Sequence, residues 1–123
     1  MSDTDTRTSS FEHLDGAVRV LVGIGPVKQR LTEASTRHLT AVDPNDLPRD
    51  LSVVFRTLMS TLSTAPAVGG LGSIEATIRK MSEQDAAGHA LRTFDLCVAL
   101  ASREGREPAS MISPRQLRLV GEE

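Results

Sequence analysis

Few side chains in this chain could do chemistry, and they are spread along it. They are three histidines (His13, His38 and His89), one cysteine (Cys97), and the run Gly69-Gly70-Leu71-Gly72-Ser73 with Arg79 and Lys80 downstream. Glycines ahead of a helix can turn backbone amides toward an anion, so Gly70, Gly72, Ser73, Arg79 and Lys80 form the candidate anion contact. The Gly-Lys-Ser/Thr ending of a P-loop is absent, however, and no strand precedes the glycines. A flexible connector over Ser63–Ser73 is the preferred reading.

His38 falls on the inward face of its helix, where it could transfer a proton or ligate. No second histidine or carboxylate stands three or four residues on, since Ala41 and Val42 occupy those places. A hydrogen-bonded structural histidine is the preferred reading. His13 and His89 fall on polar flanks and read as solvated. Cys97 shares a face with Ala90, Phe94 and Ala101, which makes it a core filler and not a nucleophile. There is no His-Glu-x-x-His, paired-cysteine or Gly-x-Ser-x-Gly pattern, so neither a metal, a cofactor nor an enzymatic role is expected.

The elements that must carry these residues are helices. Leu47, Leu51, Val54, Phe55, Leu58, Met59 and Leu62 lie within roughly 140° of arc at a helical period, with polar residues on the remainder. Ser9-Ser10-Phe11-Glu12 reads as a capping box opening a first helix with Phe11, Leu14, Val18, Leu21 and Val22 inward. A second helix runs from Pro26 to about Val42 with Val27, Leu31, Ala34, Ala41 and Val42 inward. Asp46 is placed to cap the third. Ile74, Ile78 and Met81 mark a short fourth helix capped by Ser73. Ser82 caps a fifth, Glu83 to Arg103, with Gly105 as its stop. Its inward set of Ala86, Ala87, Ala90, Leu91, Phe94, Cys97, Val98, Leu100 and Ala101 covers roughly 180°, which requires neighbours on two sides.

The expected fold is therefore all-α: one helical bundle of four longer helices plus a short one over residues 9–105, with a flexible arm at 1–8 and a tail at 106–123. At 123 residues the chain suits one core and not two. A net charge of −2 with scattered Lys and Arg disfavours non-specific binding to nucleic acid or anionic membrane. The polar start and single cysteine point to a reducing cytoplasm. With no Trp, no Tyr and three Phe, any interface must be built from aliphatic groups, small residues and Arg.

By elimination, the expected function is a non-catalytic protein-binding or adaptor protein acting through an aliphatic helical surface. That surface is placed on helix 5, at Ala90, Phe94, Leu96, Cys97, Leu100 and Ala101, and a twofold homodimer follows if it is shared between subunits. One alternative is a nucleic-acid-associated regulator using Arg79, Lys80, Arg115 and Arg118, against which Glu83 and Asp85 at the start of helix 5 would face phosphates. Another is a small enzyme or ligand carrier using His38 and the glycine-rich loop.

Overall fold

The structure, a computed structural model, describes residues 2–103, with side chains from residue 10 onward. The tail at 106–123, with Arg115 and Arg118, and the stop expected at Gly105 lie outside the described residues. Among the described residues five α-helices follow one another: α1 (Ser2–Leu21), α2 (Val27–Arg37), α3 (Arg49–Leu62), α4 (Ser73–Lys80) and α5 (Glu83–Arg103). Two 3-10 turns, Leu39–Ala41 and Pro44–Asp46, lie between α2 and α3. The all-α class and the set of four longer helices plus one short helix are as the periodicity requires, and no strand occurs among the described residues. None of their helices is long and apolar enough to cross a membrane.

Leucines fill the centre. Leu14 of α1, Leu31 of α2, Leu39, Leu58 and Leu62 of α3, Ile78 of α4 and Leu100 of α5 are all almost completely buried in one cluster. The helix α5 packs on α1, α2 and α3, and α1 packs on both α2 and α5. No two helices could bury these stripes alone, so each helix owes its stability mainly to its neighbours.

Several boundaries and faces differ from the sequence reading. Helix α1 starts at Ser2, so the Ser9–Glu12 box lies inside it; no glycine or proline interrupts the chain between Ser2 and Phe11. At its other end Val22 is 63% exposed, because the chain has already turned there. Helix α2 stops at Arg37 and tightens into a 3-10 turn that buries Leu39 and leaves Ala41 outside. Asp46 does not cap α3. Pro48 holds the cap position in an extended conformation, its carbonyl accepting from the Ser52 N–H at 2.8 Å, while Asp46 Oδ2 accepts from Ser10 Oγ at 3.3 Å. Ser82 does cap α5, its Oγ accepting from the Asp85 N–H at 3.0 Å.

The largest difference is the orientation of α5. Its buried set is Ala86, Thr93, Leu96, Cys97, Leu100 and Ala101, a face turned by roughly 60° from the expected arc at 100° per residue. Leu96 is 3% exposed and Leu91 is 59% exposed, the reverse of their expected places. Thr93 tolerates burial because its hydroxyl donates to the His89 carbonyl at 3.0 Å. Ala87 is also exposed.

Two helical glycines differ in what surrounds them. A Cβ added to Gly88 of α5 would meet nothing within 4 Å, whereas one on Gly16 of α1 would fall 2.8 Å from His38 Nδ1 and 2.9 Å from Cε1. The His38 ring therefore lies directly on the α1 backbone. Gly88→Ala is expected to raise stability by about 0.5–1 kcal/mol through helix propensity. Gly16→Ala should give no such gain until His38→Ala removes the ring, when the gain returns. Urea unfolding of the four variants checks this cycle.

Candidate interaction surface

Each expected site residue now has a place. Of the helix 5 set, Leu96, Cys97, Leu100 and Ala101 are buried in the monomer, while Ala90 and Phe94 are half-buried against the core. Four of the six are thus covered by the chain's own helices and offer no free face to a second subunit. Burial pushes the Cys97 thiol up to about 12, helped by the Asp15 carboxylate of α1. The group stays protonated at neutral pH and is shielded from reagents.

At the candidate anion contact, one backbone amide already has an internal partner. Gly69 and Gly70 both take positive φ, 51° and 83°, and make the two-residue turn between Val68 and Leu71, whose backbones exchange hydrogen bonds of 3.1 and 2.8 Å. Helix α4 then begins with Gly72 at its cap. The Gly72 N–H donates to Glu75 Oε1 at 3.1 Å, so a carboxylate of the chain itself holds the amide an anion would need. Ser73 does not cap. Its hydroxyl lies 2.8 Å from the Ser63 carbonyl and 2.6 Å from that of Ala65, while the Ala65 N–H donates to Thr77 Oγ1 at 2.8 Å. These contacts tie the Ser63–Ser73 connector to α4. Arg79 and Lys80 are exposed at the far end of the helix.

His38 closes a cleft of about 520 Å³ against Glu12, Asp15, Gly16, Arg19 and Val20 of α1. Burial chiefly, with Arg37 and His13 nearby, holds its pKa below the ordinary 6.5 despite Glu33. His89 is half-buried and not solvated as expected. Its Nδ1 finds no hydrogen-bond partner, and burial, then Arg92, lower its pKa against Asp85. Among the described residues no three of His, Cys, Asp or Glu gather where they could hold a metal ion.

Two further concavities lie between helices. One, about 290 Å³, runs between α3 and α5; Leu51, Val54, Leu96 and Ala99 line it, with Arg92 and Asp95 at its edge. Val54 is 45% exposed there, although helical periodicity assigns it to the core. The other, about 660 Å³, lies between α2 and α4 and is lined by Lys28, Thr32, Glu33, Leu71, Glu75, Ile78 and Arg79, among others. The signal that could have found the first was Val53-Val54-Phe55, three consecutive apolar residues spanning roughly 200° at 100° per residue, of which the outer ones cannot all reach one core.

Long-range polar contacts brace these helices. Arg103, in the last turn of α5, donates from both terminal nitrogens to Asp50 in the first turn of α3, at 3.0 and 2.5 Å. That fork holds the Asp50 carboxyl down to about 2. Arg30 of α2 donates to the Gly25 carbonyl at 2.7 Å and to the Leu21 carbonyl, covering the end of α1. Sequence reasoning singled out neither pair. The chain matches no protein-family model, no curated protein and no solved structure.

The depressed pKa values set an acid profile. A neutral imidazole favoured by folding stabilises fully above the unfolded histidine value of 6.5 and loses that stabilisation as pH falls through the lowered value. The Asp50 contribution is present above 3.8 and is lost as pH falls toward 2. Urea midpoints should therefore decline in two stages. His38→Ala with His89→Ala should flatten the first stage, and Arg103→Gln should reduce the second.

Proposed function

We propose that this protein is a non-catalytic helical module that binds another protein, receiving an aliphatic side chain of its partner in the recess between α3 and α5. The observation that carries this reading is the recess itself: an aliphatic floor of Leu51 and Leu96, a wall of Val54 and Ala99, and one cation and one anion, Arg92 and Asp95, at the rim. Small apolar pockets ringed by charge suit side-chain anchoring, because the floor supplies desolvation energy and the rim supplies orientation. Val54, Ala99 and Leu96 extend the helix 5 surface expected from the sequence onto its junction with α3. A cytoplasmic location belongs to the same proposal, since a lone buried thiol suits a reducing compartment.

The test is a photo-crosslinking amino acid placed at Val54 in cells of the natural host, with Val53, 60% exposed on another face of α3, as the control. A discrete protein adduct at position 54 and not at 53 is expected, and Val54→Glu should abolish binding of the partner so identified while leaving the helical spectrum unchanged. Equal labelling at both positions, or none at 54, contradicts the reading.

A further inference from the structure

We infer that the groove between α2 and α4 is where two copies of this chain meet. Lys28 in the first turn of α2 reaches the carbonyl of Arg79 in the last turn of α4, its Nζ donating at 2.9 Å. The two helices therefore run start to end past each other, and the groove between them has two electrically different ends. Lys28 and Arg79 stand at one. Glu33 lies five residues further along α2 and Glu75 four residues back along α4, which carries both carboxylates toward the other end by about 6–8 Å at 1.5 Å per residue.

A groove that is basic at one end and acidic at the other is complementary to itself. Turned by 180° about an axis perpendicular to its length, a second copy sets its Glu33 and Glu75 against Lys28 and Arg79, and does so twice. Two antiparallel helix pairs laid face to face in this way give a four-helix layer, a common packing solution. Its apolar centre is supplied by half-buried Leu71, with Val68 exposed on the turn that presents it. Glu33 already pairs with Arg37 of its own helix at 2.6 Å, both side chains being solvent-exposed. Exposed pairs one helical turn apart contribute little, so this one does not remove the carboxylate from competition. Charge matching of this kind sets orientation and encounter rate, and makes association sensitive to salt.

This inference is independent of the α3–α5 recess and is tested apart from it. Sedimentation velocity of the full chain over a range of concentrations should show a monomer–dimer equilibrium that weakens as salt is raised. Arg79→Glu and Glu33→Lys should each weaken the dimer by about tenfold or more through like-charge contacts across the axis. An equimolar mixture of the two should restore it, because the doubly acidic end of one variant then meets the doubly basic end of the other. Val54→Glu should leave the dimer intact. A wild-type chain that stays monomeric at every concentration, a mixture no more associated than its components, or dissociation by Val54→Glu and not by Arg79→Glu would each overturn the inference. The wild-type salt dependence reads the same contacts without any substitution, so misfolding of one variant leaves the test standing.

Discussion

The buried strip of α5 is the constraint on which the rest of the structure depends. Thr93, Leu96, Cys97, Leu100 and Ala101 face inward together, and a strip that broad cannot be dried by one neighbour. Helices α1, α2 and α3 all pack on it. The Asp15 carboxylate comes near Cys97 from α1, and Leu51 comes beside Leu96 from α3. Other features accommodate this arrangement. Pro48 starts α3 where Asp50 can receive Arg103, and Gly16 lets the His38 ring lie on α1 and close the turn that follows α2.

The same strip decides where a partner could bind. Placing Leu96, Cys97, Leu100 and Ala101 inside leaves helix 5 no broad apolar face, and two concave seams between helices offer the candidate sites. One seam, α3–α5, is small and apolar; the other, α2–α4, is larger and graded in charge. These call for different occupants. An aliphatic anchor suits the first, whereas the second is matched by its own rotated copy. In the glycine-rich connector Glu75 accepts from the Gly72 amide and the Ser73 hydroxyl bonds the Ser63 and Ala65 carbonyls.

Helix number, order and class were legible in the sequence because periodicity reports which residues avoid water, and Ser82 was legible because a cap acts within one turn. Less local information was not. Periodicity cannot tell which aliphatic on a stripe's edge finds a neighbour, so it assigns Val54, Val22 and Leu91 to the inside and Leu96 to the outside, whereas the fold does the reverse. Apolar periodicity does not reach Thr93, because the hydroxyl bond to His89 that permits its burial appears only once the helix exists. The Asp50–Arg103 fork joins residues 53 apart, a separation no spacing rule reaches. Asp46 is displaced as the cap because Pro48 disfavours helical backbone at the residue before it, Leu47 (φ −94°, ψ 150°), so α3 cannot start ahead of the proline.

The packing of the bundle depends on the rotation of α5, which a pair of truncations measures directly. Leu96→Ala and Leu91→Ala remove the same atoms from two turns of one helix. Equilibrium unfolding in urea should show a loss of about 2–5 kcal/mol for Leu96→Ala, since a cavity opens against α3. Leu91→Ala should stay within about 0.5 kcal/mol of the parent, as exposed positions do. Equal losses, or a larger loss at Leu91, would place the other face of α5 in the core and contradict both the fold's packing and the recess drawn from it.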